Sequence, residues 1–581
     1  MELQRIIERH KVLEKEKQPY LNVFNMIGKF IRLRKTNFNS DVNIAEFLTA
    51  ANVYDATAPN ALFTMSAALM GNMWPNGAKS FRLVKPDSLP DSMTIREYYD
   101  KVSQRVANAM DHPKARLSVA LDEYINDLGA FGTCGIAVFE NDDKDNPVSY
   151  KVWDVKTMVI DEDPNGIVDT IYNKFKMSVR QTVETYGINK VSERTRKLYG
   201  NSKFDEQVTI LHAIFPRPKK ARSKGGKTAK GLPYASYHID LDAQTIMKES
   251  GYKYLPVIVG RFYKVPGERY GRSPAMQALP DIIEINAIRE SVLLATEKAL
   301  QPPLVVFDDG SMGAGEIDTS PNGVTVLNVS GRMGSIDPIK PLYTVGELQS
   351  AQNQIEQLIQ NITQAFFIDR LLDLNNDTRM TLGEAQIRNR IRGDSLTSIF
   401  DRQEIEEFTP LIDTTVKILL DKKLLGVAEG SVDEYAMMIQ QVIEGKAEGE
   451  TSSLIIPPEV QQLIEEGREW YKIQYISPAK RMQQAEELQG IYTVMDITNG
   501  IAQVDSSVLD FIKADVLLKR AAALGGGPSE IIQDEDTVSQ IREQRAAQQA
   551  EMMKQEAARN ESEVARNYAQ AMATGGQANA Q

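Results

Sequence analysis

At the centre of the chain two long helical runs flank a stretch that cannot be helix, and few folds accommodate such a layout. The first run spans about Ala275–Leu300, with Met276, Leu279, Ile283, Ile288, Val292 and Ala295 as expected buried positions. Gln301-Pro302-Pro303 stops it, because proline has no N–H to continue the ladder. At about 1.5 Å per residue it reaches roughly 40 Å. Residues 302–345 are rich in Gly, Pro and Asp around two strand-like runs, Leu304–Phe307 and Val324–Val329, which predicts a small β insertion. The second run covers about Glu347–Phe367. There Leu348, Ala351, Ile355, Leu358, Ile362 and Ala365 recur at spacings of three and four, a narrow seam for helix-to-helix packing. The rest of its surface is Gln349, Gln352, Asn353, Gln354, Gln357, Gln360, Asn361 and Gln364, with Glu347 and Glu356 the only charges. It is polar yet almost uncharged.

A loop follows over 368–380, and then Thr381-x-x-Glu384, a capping box in which hydroxyl and carboxylate satisfy the free N–H groups of a helix start. That helix is expected to run to about Leu425, with a kink or break at Pro410. Residues 454–545 again read as helical, and an Ala/Gln/Glu/Arg-rich helix from about Asp534 is expected to fray at its end. Before the central pair, residues 1–140 read mainly as helices, with Ile44, Phe47, Leu48 and then Leu62, Met65, Ala68, Leu69 in helical spacing. From about 148 to 265 the pattern turns to short β-rich runs: VSYKVW, TMVID, GIVDTIYNKFKM, VTILHAIF and YLPVIVGRFY. Asp161–Gly166 lies between two of them as a hairpin turn, since proline fixes φ and Asn-Gly tolerates positive φ. The fold class is therefore α+β, mainly helical.

Composition narrows the function. The 581 residues carry 67 Lys and Arg against 79 Asp and Glu, a net charge of −12, which excludes a small basic nucleic-acid module. One cysteine, Cys134, excludes an internal disulfide framework and any multi-thiolate metal site within one chain, and fits a reducing compartment. No run of 18 apolar residues and no signal peptide is visible, so a soluble product without membrane association is expected.

Chemical motifs end in near misses. Gly226-Lys227-Thr228 resembles the end of a phosphate-binding loop, but the motif needs glycine at position 221, which is alanine. The surrounding Arg217, Lys219, Lys220, Arg222, Lys224, Lys227 and Lys230 read as a solvated basic loop. Two stretches resemble calcium loops. Asp161-x-Asp163-x-Asn165-Gly166 has Tyr172 where the bidentate Glu belongs, and Asp373-x-Asn375-x-Asp377 has Thr378 where the sharp turn needs Gly. His10, His112, His212 and His238 form no HExxH, and no GxSxG elbow is present. Cys134 reads as a buried small side chain, and Trp74, Trp153 and Trp470 as core or interface anchors. No catalytic, metal or cofactor site is expected.

Local sequence nevertheless carries a family likeness. Tyr54-Asp55-Ala56-Thr57-Ala58-Pro59, Ala68-Leu69-Met70-Gly71, Trp74-Pro75 and Phe81-Arg82-Leu83 come first. Phe131-Gly132-Thr133 follows, then Val168–Tyr172 with Phe175-Lys176-Met177, and Tyr270-Gly271-Arg272-Ser273-Pro274. Last come Thr381-Leu382-Gly383-Glu384-Ala385, Tyr475-Ile476-Ser477-Pro478, Ala485-Glu486-Glu487-Leu488 and Ile541-Arg542-Glu543-Gln544-Arg545. Together, over about residues 20–550, they resemble the portal, or head-to-tail connector, proteins of short-tailed bacteriophages. The resemblance implies a homo-oligomeric ring of twelve subunits at one capsid vertex. Double-stranded DNA would pass through it during packaging and ejection, and it would meet the terminase large subunit, then a tail adaptor, besides the major capsid and scaffolding proteins.

By position, residues 1–265 would be N-terminal helices and a β-rich wing, 266–300 the first stem helix, 301–346 the clip and 347–367 the second stem helix. Residues 368–380 would be the tunnel loop, 381–453 a long wing helix and remaining wing, and 454–581 the crown and tail. The channel candidates are Gln357, Gln360, Gln364, Arg370, Asp373, Asn375, Asn376 and Arg379, and the clip candidates Asp308, Asp309, Arg332 and Met333. A slender helical pair cannot bury both apolar faces alone, so Leu348, Ile355, Leu358 and Ile362 are expected to pack against neighbouring subunits. The resemblance places the protein in the virion, and in the host cytoplasm during assembly. A ring ATPase of the packaging motor, resting on the near phosphate loop, and a calcium-dependent structural protein are the alternatives.

Overall fold

Ile6, Ile7, Leu13, Leu21, Phe24 and Ile27 share one side of helix α1 (Glu2–Phe30); the sheet domain covers Ile6, Ile7 and Leu13, and Phe24 meets the Phe131 ring edge-on at 5.6 Å. The computed structural model describes residues 2–32, 53–75, 80–143, 145–218, 231–308, 318, 320, 322–328, 339–341, 349–371, 397–428, 454–476, 478–502, 516–518, 520, 521 and 535–575. Its fold is α+β with a helical majority. The chain divides into two compact units, one of Met1–Ser80, Val106–Lys422 and Ser477–Gln483, the other of Phe81–Arg105, Lys423–Ile476 and Gln484–Gln581.

In the first unit a five-stranded antiparallel meander runs in sequence order through Met158–Glu162, Val168–Ser178, Gln207–Pro216, Tyr234–Asp240 and Thr245–Tyr252. Side chains alternate across a strand, so neighbours 159 and 160, or 171 and 172, enter different cores. Val159, Tyr172, Ala213 and Tyr237 pack on Ile6, Ile7 and Leu13 of α1. Ile160, Ile171 and Ile214 pack on Ala137, Val257 and Val259 of a second, three-stranded sheet built from Val148–Trp153, Thr133–Glu140 and Val257–Arg261. Lys17 sits in the buried stripe of α1 and donates its ammonium hydrogens to the carbonyls of Val155, Lys156 and Met158, replacing its hydration. The expected hairpin is present: Gly166 has φ +79°, and Asp163 Oδ1 accepts from the backbone N–H groups of Asn165 and Ile167 at 2.9 and 2.8 Å. Those bonds account for the Asp163 carboxylate as a turn residue. Among the described residues, no group of three or more His, Cys, Asp or Glu side chains could hold a metal. The strands Tyr234–Asp240 and Thr245–Tyr252 escaped the sequence reading.

Two histidines meet across this sheet. His212 and His238 are directly opposite in register, with ring centroids 4.0 Å apart. His212 Nε2 bonds Ser236 Oγ at 3.0 Å, and His238 Nδ1 bonds the Tyr186 hydroxyl at 2.8 Å. Burial, with Lys248 nearby, pushes His238 down to about 4 and His212 well below its ordinary range. The unfolded chain therefore takes up protons first as pH falls, so stability present above about pH 6.5 is lost towards pH 4. The His238 shift corresponds to about 3 kcal/mol. Melting temperatures at pH 7 and pH 4.5 are expected to differ less in H212Q/H238Q than in the parent.

Helix α2 (Thr57–Met73) and helix α3 (Leu117–Phe131) pack together, with Trp74 stacked on Phe408 at 5.6 Å. Helices α4 (Pro274–Leu300) and α5 (Gln349–Ala365) form the central pair. Between them lies a small sheet in the order Val324–Asn328, Leu304–Asp308, Ile339–Pro341, the third strand being additional to the two expected. At Pro410 the helix neither breaks nor stops. A π turn, Glu404–Phe408, precedes α6 (Thr409–Asp421), and Thr409 N donates to Glu404 O, five residues back. The proline ring would collide with the Glu406 carbonyl in an α-helix, and one widened turn removes that collision.

In the second unit, Phe81–Val84 pairs antiparallel with Lys472–Tyr475, so a strand pair joins a stretch expected to be mainly helical to one expected to be helical. The Tyr99 hydroxyl donates to the Trp470 carbonyl and Trp470 packs on Tyr471, which ties this pair to Met93–Asp111. Helices Pro458–Glu465, Pro478–Ala502 and Glu535–Gly575 also occur in the C-terminal region.

Candidate functional site

The central helix pair is built on two glycines. Gly132 ends α3 in the left-handed region at φ +73°, where a β-carbon would stand 2.4 Å from the Gly271 carbonyl oxygen. Gly271 returns the contact: its β-carbon would lie 2.2 Å from the Gly132 oxygen. Only two backbones without side chains can approach so closely. Gly271 N donates to Thr133 Oγ1 at 2.7 Å and Ser273 Oγ to the Ala130 carbonyl at 2.7 Å. Ser273 Oγ also accepts from Met276 N at 3.0 Å, the N-cap of α4, with Pro274 at the helix start. Phe131–Thr133 and Tyr270–Pro274, quoted above as separate motifs, are therefore two halves of one contact that aims α4.

A second latch holds α4 lower down. Asn286, 4% exposed, accepts through Oδ1 from the backbone N–H groups of Tyr54 and Asp55 at 2.9 and 3.2 Å. Asp55 accepts from Thr57 N at 2.8 Å, at the start of α2, and pairs with Arg289 Nε at 3.2 Å. The Tyr54 hydroxyl donates to Glu290 at 3.1 Å, which raises its pKa. The Tyr54–Pro59 motif is thus a clasp between α2 and α4. Sequence periodicity missed it because a buried asparagine breaks an apolar pattern. The signal was Asn286 standing at helical spacing from Ile282.

The buried stripe of α4 is Ala275, Ala278, Leu279, Ile282, Ile285 and Asn286, and of the six expected positions only Leu279 is buried. Apolar residues surround this helix on several sides, so more than one stripe fits a repeat of 3.6, and the alanines win by permitting close approach. Beyond Asn286 no residue of α4 is buried, and Leu293, Leu294 and Leu300 are 57%, 50% and 79% exposed. Helix α5 packs on α4 and α2, with Gln354 Nε2 donating to Glu284 at 2.7 Å.

Its seam corrects an expectation. Ile355, Leu358 and Ile362 are 7%, 5% and 0% exposed within a single chain, so the covering expected from neighbouring subunits is supplied by the chain's own helices. Leu348 lies outside the described residues. The opposite face matches its sequence: Gln357, Gln360 and Gln364 are exposed, and Glu356 is the one charge in α5. After it, Phe367 takes φ +57° and the chain continues as a helical turn, Ile368–Leu371, where loop was expected. Arg370 is exposed there, its guanidinium 5.7 Å from the Phe367 ring centre. Asp373, Asn375, Asn376, Arg379 and the capping box at Thr381 lie outside the described residues, as do Asp309, Arg332, Met333 and Gly226–Thr228. Asp308 ends the strand Leu304–Asp308.

A family model described as the bacteriophage head to tail connecting protein matches residues 3–444. The portal protein of Salmonella phage epsilon15 is 26% identical over 558 residues, covering 94% of this chain and 92% of that one. The probable portal protein of Bordetella phage BPP-1 is 25% identical over 551 residues, covering 94% and 91%. Among solved structures, the chain is similar to one from the virion of a native gene transfer agent particle, at 11% identity and TM-score 0.30 over 72% of this chain and 91% of that one. It is also similar to one from the neck of the native particle computed with C12 symmetry, at 12% identity and TM-score 0.27 over 58% and 73%. The packaging-ATPase alternative finds no support in the family matched. With three quarters of its length matched by that one model, the chain belongs to the bacteriophage head-to-tail connecting proteins.

Proposed function

We propose that this chain closes into a ring, expected to hold twelve copies, at one vertex of the capsid, and acts as a non-enzymatic conduit for double-stranded DNA during packaging and ejection. The observation that carries the reading is the upper half of α4, a long helix whose Leu293, Leu294 and Leu300 are left to water by the single chain. Exposed leucines repeated along one helix are covered most simply by a second copy of the same helix pair. In this reading α4 and α5 are the stem, 301–346 the clip that meets the terminase large subunit and then the tail adaptor, and 368–380 the tunnel loop. Residues 1–265 and 381–453 form the wing and 454–581 the crown, with the major capsid and scaffolding proteins around them. The place of action is the virion, after assembly in the host cytoplasm. Among the described residues no helix is long and apolar enough to cross a membrane.

A passage must not hold its cargo. Binding to duplex DNA rises steeply with each phosphate neutralised by Lys or Arg, and α5 has neither, so its glutamine face lets phosphates slide. Electron micrographs of purified protein are expected to contain rings with an open centre, and a monomer at every concentration rejects the reading. Q357K/Q360K is expected to slow packaging or ejection severalfold, more at low salt than at high. Unchanged rates would remove the glutamine face from the channel.

A further inference from the structure

Buried polar groups are almost always paired, because an unpaired one has given up its bonds to water for nothing. Where the π turn meets strand Val257–Arg261, four oxygens break this rule. Both carboxyl oxygens of Glu407, the Tyr124 hydroxyl and the Gln403 amide oxygen are buried, and apart from the approach of the Tyr124 hydroxyl to the Glu407 carboxyl none has a hydrogen-bond partner among the described residues. Glu407 is 1% exposed. Tyr124 and Gln403 meet over Gly260, where a β-carbon would stand 1.8 Å from the Tyr124 hydroxyl and 3.6 Å from the Gln403 oxygen. The amide is oriented by its other end, since Gln403 Nε2 donates to the Arg261 carbonyl at 3.1 Å, so its oxygen can only accept.

Among the described residues no counter-charge answers Glu407. Arg261 follows Gly260 on the strand, but its guanidinium is held by Glu406 at 3.0 and 3.2 Å, by Glu162 and by the Gly166 carbonyl at 3.0 Å. The groups that act on the Tyr124 hydroxyl are Glu407, Cys134 from strand Thr133–Glu140 and Glu406, and none is a cation. With Glu407 ionised, the cluster has one hydrogen, on Tyr124, for four oxygens. One added proton would close it, with the Glu407 acid as a donor for the Gln403 oxygen and the Tyr124 hydroxyl as the donor to the other carboxyl oxygen.

We propose that Glu407 is a proton-binding site, a neutral acid at neutral pH whose hydrogen seats the π turn on strand Val257–Arg261. Burial drives this carboxyl well above its ordinary range, and burial likewise raises Tyr124, which stays a donor. A carboxyl that binds its proton more tightly folded than unfolded loses stability as pH rises from the unfolded carboxyl range towards the folded value. Glu407→Gln copies the neutral acid in shape and donates through its amide.

Full-length E407Q is expected to melt several degrees above the parent at pH 8, with the gap closing towards pH 5. Infrared spectra of the parent at pH 7, where exposed carboxyls are ionised, are expected to carry a protonated-acid carbonyl band that E407Q lacks. An ion-paired carboxylate gives the reverse: E407Q melting below the parent, most of all at high pH, and no acid band. A melting difference that ignores pH also overturns the proposal. Should E407Q fail to fold, the parent's own band decides, its presence at pH 7 and loss in alkali supporting the site and its absence at pH 7 refuting it.

Discussion

Alanine at Gly271 is expected to destabilise the first unit by about 2–4 kcal/mol, among the largest effects of a single added methyl group. The new β-carbon would lie 2.2 Å from the Gly132 oxygen, 2.8 Å from Arg261 Cβ and 3.1 Å from the Tyr263 oxygen. Two of those neighbours are backbone, which cannot swing aside as a side chain does, so relief requires moving the start of α4 against strand Thr133–Glu140. Gly200→Ala is the control. It closes the helix Glu193–Gly200 without a positive φ and has nothing within 4 Å of its would-be β-carbon, so a loss of no more than about 0.5 kcal/mol is expected. Urea unfolding of both variants isolates the steric contribution, and a G271A loss no larger than that of G200A would mean the two glycine backbones do not meet.

Ile362→Asp and Leu293→Asp are expected to fail in different ways, though both put a carboxylate on the same helix pair. Ile362 is 0% exposed, and an unpaired buried charge there is expected to cost about 3–5 kcal/mol and give little folded protein. Leu293 is 57% exposed, so the aspartate remains hydrated and the isolated chain is expected to lose no more than about 0.5 kcal/mol. Its effect should fall on assembly: sedimentation and electron microscopy are expected to find folded single chains in place of rings, and L294D to behave alike. Rings of normal size from L293D and L294D would remove the upper half of α4 from the interface. Ile355→Asp and Leu358→Asp belong with Ile362, because one chain already closes over them.

Periodicity located the central helices to within two residues because Pro302, Pro303 and the Gly-rich insertion punctuate them sharply. It could not choose the buried side of α4, where Ile282, Ile283, Ile285 and Ile288 offer competing stripes. Nor could it foresee that α5 is covered from within, since α2, which helps to cover it, lies almost three hundred residues earlier in the chain. The motifs were legible as signatures but not as contacts. That Tyr54–Pro59 grips Asn286, that Phe81–Leu83 pairs with 473–475, and that Gly132 faces Gly271 are statements about distant positions, which local spacing does not encode. Pro410 gave the place of an irregularity but not its form, because a widened turn and a break both relieve the same clash.

The stripe on α1 bears on how the polypeptide is made. Ile6, Ile7 and Leu13 find their cover on strands extending as far as Ile239, and Lys17 finds its carbonyls only at Val155–Met158. At roughly 5–20 residues per second, ribosomes need on the order of ten to fifty seconds to deliver that surface. Throughout that interval the nascent amino terminus presents a greasy ridge with nothing to sit on. Until the sheet arrives, that ridge is the part of the growing chain most open to non-native association.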